Sequence, residues 1–364
     1  MGEVDDFTRG YPFELDGYQV EACQELAGGK GVLVAAPTGA GKTLVGEFAA
    51  HLALSRGEKC FYTTPIKALS NQKYHDLAAR YGPERVGLLT GDTVINGEAD
   101  VVVMTTEVLR NMIYAGSRTL DGLGYAVMDE VHYLSDRFRG AAWEEVIISL
   151  APQVRLVALS ATVSNAEEFG QWLNQVRGEV AVIVSERRPV PLFQHVMAGK
   201  KLYDLFAGGE AVNPELLNLA KQEARFLRDD SRRPRGHSGK GKRQVAYGSG
   251  RFGGASAAKW ESAARSFAPR REAVLERLHA QELLPAIYFI FSRAGCDKAV
   301  RQLLKSGMRF TSRQEFNTLR EIADRHTAGL GESDLRALGF PAFREAFCRG
   351  ISAPHAGLLP AIKE

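Results

Sequence analysis

The chain has 364 residues, 45% hydrophobic and 24% charged, enough apolar material for about two domains with packed cores. No apolar run approaches a bilayer crossing, the acidic start from Met1 to Asp6 lacks a signal-peptide core, and Cys23, Cys60, Cys296 and Cys348 form no C-x-x-C pair. Composition therefore argues against a membrane span, an export signal, a zinc or iron–sulfur centre and a disulfide framework, and a cytoplasmic protein is expected. The net charge of +3 is uneven: residues 225–272 hold thirteen Lys or Arg against four Asp or Glu, a local +9 that leaves about −6 elsewhere.

Phe13-Glu14-Leu15-Asp16-Gly17-Tyr18-Gln19 precedes the first helix of the core. On these residues alone it reads as a capped helix start, although Phe13 and Gln19 also offer a ring and an amide to an adenine base. The apolar run Val32–Ala35 then leads into Ala36-Pro37-Thr38-Gly39-Ala40-Gly41-Lys42-Thr43, followed by the helix-forming Leu44–Ala50. A glycine-rich turn between strand and helix lets backbone N–H groups approach phosphates; Lys42 reaches the β/γ oxygens and the Thr43 hydroxyl takes Mg²⁺. Ala36 stands where the general pattern has a glycine, which is tolerable if its φ is negative.

Three further apolar runs end in polar residues without acid–base chemistry. Cys60–Thr64 precedes Pro65-Ile66-Lys67-Ala68-Leu69, Val86–Leu89 precedes Thr90-Gly91-Asp92, and Val101–Met104 precedes Thr105-Thr106-Glu107. Hydroxyls, amides and helix starts of this kind suit a sugar–phosphate backbone. Tyr125–Met128 runs into Asp129-Glu130-Val131-His132, and Leu156–Leu159 into Ser160-Ala161-Thr162. Two carboxylates beside an apolar run are costly unless a cation neutralises them, which Mg²⁺·ATP does. Asp129 is expected to hold the metal through water and Glu130 to orient and deprotonate the attacking water. Ligands collect at the carboxyl ends of strands in an open parallel α/β sheet, so these motifs describe one nucleoside triphosphate site. By themselves, His132 reads as a core histidine and Ser160–Thr162 as a strand-end turn.

Glu186-Arg187-Arg188-Pro189-Val190-Pro191 reads as a linker closing the first lobe. Ser231–Ser256, rich in Gly, Arg, Lys and Ser, reads as a disordered loop inserted in a second lobe. Pro285-Ala286-Ile287-Tyr288-Phe289-Ile290-Phe291 has a buried-strand pattern and ends in Ser292-Arg293.

Taken together, Phe13–Gln19, Ala36–Thr43, Thr63–Lys73, Thr90–Asp92, Met104–Met112, Asp129–Tyr133, Arg139–Glu145 and Ser160–Phe169 resemble superfamily 2 DExH-box helicases. The resemblance is to the superkiller and exosome-cofactor family of RNA helicases, in its bacterial branch, with Pro65–Lys73 and Arg139–Glu145 the most family-specific segments. It implies an α/β protein of two RecA-like P-loop lobes that close on ATP and Mg²⁺ and walk along a strand. It implies an adenine contact for Gln19, a link between hydrolysis and strand separation through His132, Ser160 and Thr162, and nucleic-acid contacts at Pro65, Lys67, Thr90, Gly91, Thr105, Glu107, Ser292, Arg293 and His355.

Two departures stand out. Pro354 replaces the first of the family's two histidines before Ala356-Gly357-Leu358-Leu359-Pro360, leaving His355 alone. The chain also stops at Glu364, before the second-lobe motifs that supply arginine fingers, so the second lobe is expected to be incomplete and the sequence C-terminally truncated. The expected organisation is an ATP-binding lobe at 1–187 and a partial lobe at 188–364, with a basic flexible insertion at about 225–272. The expected activity is ATP-dependent translocation on single-stranded or partly duplex RNA, with no membrane partner. The rival readings are a DNA-repair helicase of the same superfamily and an ATP- and nucleic-acid-binding module with little turnover.

Overall fold

The computed structural model describes residues 2–161, 165–209, 211–232, 268–328, 331–337 and 339–353. The chain divides into two units, Met1–Leu192 and Phe193–Glu364.

The first unit is built on one eight-stranded sheet. In chain order its elements are α1 (Glu3–Thr8), α2 (Gly17–Ala27), β1 (Gly31–Ala35), α3 (Thr43–Arg56), β2 (Lys59–Thr64), α4 (Lys67–Tyr81), β3 (Val86–Leu89), β4 (Val94–Ile95), β5 (Val101–Thr105) and α5 (Thr106–Tyr114). They continue with β6 (Leu123–Met128), a 3₁₀ turn (Val131–Ser135), α6 (Gly140–Ser149), β7 (Arg155–Ser160), α7 (Ala166–Arg177) and β8 (Val180–Val184). The strand order is β4-β3-β5-β2-β6-β7-β1-β8. Every pairing is parallel except the short β3–β4 edge pair.

The continuous apolar runs of β1 and β6 are buried along their whole length because helices cover both faces of the sheet. Side chains alternate between two cores. Val32 and Val34 of β1, Cys60 and Tyr62 of β2 and Tyr125 and Val127 of β6 pack with α2 and α3 on one face. Leu33, Phe61, Ala126 and Met128 pack with Trp143, Val146 and Ile147 of α6 and Leu173 of α7 on the other. Each large side chain so buried contributes about 1.5–3 kcal/mol.

The second unit is of a different kind. Among the described residues it has one antiparallel hairpin, β9 (His195–Ala198) with β10 (Lys201–Asp204), in the register Lys201↔Ala198 to Asp204↔His195. Helices α8 (Pro214–Arg232), α9 (Arg271–Ala280), α10 (Arg293–Lys305), α11 (Arg313–His326), α12 (Glu332–Ala337) and α13 (Phe340–Cys348) follow. Its buried apolar cluster is small and centres on Leu303, Ala346 and Ile351. No helix among the described residues is long and apolar enough to cross a membrane.

Two sequence expectations are corrected here. The run Pro285–Phe291 forms no strand: Ile287 is 82% exposed, Phe289 78% and Phe291 fully. A buried parallel strand needs a neighbour on each side, and none pairs with this segment among the described residues. The basic stretch does not begin as a loop, since residues 225–232 complete α8 and α9 starts at Arg271. The rest of the expected insertion, 233–267, lies outside the described residues, as do Thr162 and His355.

Candidate nucleotide-binding site

The parallel order β6-β7-β1 brings three motifs to the same end of the sheet. Ala35 is in register with Ser160, and Met128 with Ala158. The next strand on the β6 side is β2, where Thr63 is in register with Met128.

Beyond β1 the chain turns through Ala36–Gly41 into α3, with Lys42 at its N-cap and Thr43 its first residue. Gly39 and Gly41 adopt φ of +83° and +86°, a region that favours glycine, whereas Ala36 is not left-handed and so tolerates its Cβ. Gly41 is constrained twice, because a Cβ there would lie 2.7 Å from Gln19 Nε2. Thr38 and Gly39 are exposed at the turn, Pro37 and Ala40 are buried beneath it, and Thr43 is half-buried. Buried Lys42 donates from Nζ to the Ala36 carbonyl at 2.7 Å and the Pro37 carbonyl at 3.0 Å. Burial pushes its ammonium below the usual lysine range, while the charges of Glu130 and Asp129 act in the opposite direction. The one cation of the loop is thus preformed inside it.

Gln19 is only 5% exposed and both ends of its amide are engaged. Oε1 accepts from the Asp16 backbone N–H at 2.9 Å, completing a capping box, and Nε2 donates to the Gly41 carbonyl at 3.0 Å. The neighbouring Tyr18 hydroxyl donates to the Ala40 carbonyl. The start of α2 therefore braces the phosphate loop, in addition to any contact with a base. Phe13 is exposed, its ring 5.3 Å from that of Tyr11.

Asp129 follows β6 directly, and each of its carboxylate oxygens accepts a hydrogen bond. Oδ1 takes the Glu130 backbone N–H at 2.9 Å and Oδ2 the Tyr62 hydroxyl at 3.1 Å. Burial first, and the Glu130 charge second, push its carboxyl above the usual aspartate range. A cation at this position would relieve both effects, so the carboxylate fits a divalent metal.

Glu130 sits in the left-handed region, φ 53° and ψ 44°, before the 3₁₀ turn. Such a conformation costs a non-glycine residue about 1 kcal/mol or more. It brings Glu130 Oε2 to 3.3 Å from His132 Nδ1, which also receives the Ala161 backbone N–H at 3.4 Å. One ring nitrogen thus faces both the acidic motif and the residue after Ser160. Ser160 is buried, and its Oγ has no hydrogen-bond partner among the described residues.

The residues expected to contact nucleic acid divide into buried and accessible groups. Pro65 is buried and its carbonyl accepts from Arg139 at 3.0 Å; Thr90 is buried with its hydroxyl on Asp92 at 3.1 Å. Neither side chain presents a surface. Lys67 and Gly91 are exposed, though the Lys67 ammonium is paired with Asp92. Thr105 caps α5 without a side-chain bond, and Glu107 lies half-buried in its first turn. In the second unit the Ser292 hydroxyl accepts from the Gly295 N–H at 3.0 Å, making it the cap of α10, and Arg293 is exposed at its first position. Tyr62, Tyr18 and Arg139 were not foreseen as site residues. The available signal for Tyr62 was a phenol within a buried strand, whose hydroxyl must find a partner.

A parallel sheet with a glycine–lysine phosphate loop after β1 and paired carboxylates after β6, one strand apart, defines a P-loop nucleotide-binding lobe of RecA type. The family model for DEAD/DEAH box helicases matches residues 16–169, which make up most of the first unit. Over its whole length the chain is 53% identical to a probable helicase HelY of Mycobacterium tuberculosis, 38% of which it spans. It is 38% identical to the chloroplastic DExH-box ATP-dependent RNA helicase DExH15 of Arabidopsis thaliana, again over the whole chain and 32% of that protein. It is 35% identical, over 98% of the chain, to the antiviral helicase SKI2 of Saccharomyces cerevisiae, covering 30% of it. The chain therefore spans less than two fifths of the length of these relatives.

Proposed function

We propose that this chain forms the ATP-binding lobe and the adjoining region of an ATP-dependent helicase that translocates on RNA. The observation that carries the reading is the arrangement of β6, β7 and β1. It puts Lys42, the Asp129–Glu130 pair and the His132–Ala161 contact at one end of one sheet. RNA is favoured over DNA because Thr63–Lys73 and Arg139–Glu145 resemble the RNA branch and because relatives such as DExH15 are RNA helicases by name.

In this reading Thr43 and Asp129 hold Mg²⁺, which when bound neutralises charge on the β/γ phosphates. Lys42 supplies the loop's fixed positive charge, Gly39 and Gly41 let backbone amides approach the phosphates, and Glu130 orients the attacking water and takes its proton. His132 reports the state of Glu130 to the loop after β7. Residues 1–187 constitute the catalytic lobe, and residues 188–364 contribute part of a second.

Lys42→Ala should abolish Mg²⁺·ATP binding, read with a fluorescent nucleotide. Glu130→Gln should retain binding and lose hydrolysis by roughly 10²–10⁴, the usual worth of a positioned general base. Two variants that bind and turn over ATP like the wild type would sink the assignment. Binding and stimulation assays on matched RNA and DNA strands decide the nucleic acid.

A further inference from the structure

We infer that Tyr62 is a positioning residue for the metal-binding carboxylate: its hydroxyl fixes Asp129 in the orientation that receives the metal. The inference rests on the nucleotide-site reading above and adds a residue from a strand that carries none of the phosphate or acidic motifs. Tyr62 lies in β2, in register with Val127 of β6, and is fully buried. Its hydroxyl donates to Asp129 Oδ2 at 3.1 Å, while the Glu130 N–H donates to Oδ1 at 2.9 Å. With one donor on each oxygen, rotation of the carboxylate about its last bond breaks both bonds. The Asp129 backbone is tied to the same strand, since its N–H donates to the Thr63 carbonyl at 3.0 Å.

The surroundings are shaped around the phenol. A Cβ on Gly46, one turn into the helix that begins at the phosphate loop, would lie 2.8 Å from the Tyr62 ring and 3.2 Å from its hydroxyl. The helix carrying Thr43 therefore approaches the ring closely only because residue 46 lacks a side chain. The Lys73 ammonium sits 5.6 Å from the ring centroid and pairs with Glu47 and Asp76, both at 3.5 Å. A phenylalanine would fill the same space, so the hydroxyl's specific contribution is the bond to Asp129. One ring thus stands between the helix that bears Thr43 and the strand end that bears Asp129, the two proposed metal ligands.

The test is nucleotide binding as a function of Mg²⁺, read with a fluorescent ADP analogue and not by turnover. Removal of a hydrogen bond to a metal ligand typically costs 10–100-fold in metal affinity. Tyr62→Phe should leave affinity in EDTA within about twofold of wild type and raise the half-saturating Mg²⁺ concentration about tenfold or more. Gly46→Ala, which drives a methyl against the phenol, should shift the Mg²⁺ requirement in the same direction. Asp129→Asn is the control. If it raises the Mg²⁺ requirement while Tyr62→Phe does not, the positioning role is overturned and the metal site stands. If Asp129→Asn has no effect, the metal reading and this inference fall together. Equal losses for Tyr62→Phe with and without Mg²⁺ would mean structural damage to the lobe, and would also overturn the role.

Discussion

Replacing Gly41 with alanine should damage nucleotide binding far more than it damages the fold. The methyl group meets two obstacles. Residue 41 sits at φ +86°, where an alanine costs roughly 1–2 kcal/mol. The new Cβ would also lie 2.7 Å from Gln19 Nε2, so the Gln19 amide must withdraw and give up its 3.0 Å bond to the Gly41 carbonyl, worth about 0.5–1.5 kcal/mol. The two together amount to about 1.5–3.5 kcal/mol against the loop conformation that receives phosphates. If the loop relaxes to another conformation, the fold recovers much of this and binding bears the loss. Nucleotide affinity should fall about 10- to 300-fold, at 1.4 kcal/mol per factor of ten. Titration with a fluorescent nucleotide gives the affinity, and a thermal melt gives the fold. The double variant Gln19→Ala/Gly41→Ala should lose little more than Gly41→Ala alone, because the bond that the new methyl breaks is already missing in Gln19→Ala, a coupling that a double-mutant cycle isolates. Unchanged affinity for Gly41→Ala would refute the argument, and so would strictly additive losses.

Three further outcomes follow from the packing. Arg80 lies 4.6 Å from the Phe7 ring centroid and 4.4 Å from that of Tyr11, so Arg80→Ala should cost about 1–2 kcal/mol and speed amide exchange over residues 3–11. His51 is held below the usual imidazole range, first by burial and then by Arg80, so the folded state binds its proton less tightly than the unfolded chain. Stability from this residue should be complete above the unfolded value near 6.5 and be lost as pH falls towards the lower folded value, and a melt series should flatten in His51→Gln. Phe289→Lys should reduce self-association in light scattering without moving the nucleotide affinity, because Phe289 is exposed on an unpaired apolar segment.

The sheet and the motif positions were legible because buried parallel strands leave an obvious trace. Val32–Ala35, Tyr125–Met128 and Leu156–Leu159 are short apolar runs punctuated by polar residues, and each is a strand whose end carries the expected group. Order in the sequence did not give order in the sheet, where β7 stands between β6 and β1 and brings three distant motifs to one end. The same logic failed at Pro285–Phe291. Apolar composition records that a segment is suited to burial, and pairing requires neighbouring strands that none of the described residues provide.

The site's motifs were legible, but the contacts that brace them were not, and the reason is chemical. Lys42, Asp129 and Glu130 are conspicuous because charge beside an apolar run demands a partner. Tyr62, Gly46 and Gln19 are ordinary residues whose roles exist only in relation to another element: a hydroxyl across one strand, a missing side chain beneath a ring, an amide on a carbonyl 22 positions away. Pro65 and Thr90 show the converse, for both lie in polar strand-end motifs and both are buried. The family-like segment after β2 is held from behind by Arg139, leaving Ile66, Lys67 and Leu69 as its outward face. A strand-end motif therefore has two layers, one exposed and one that holds the exposed layer in place. Only the three-dimensional neighbours reveal to which layer a given residue belongs.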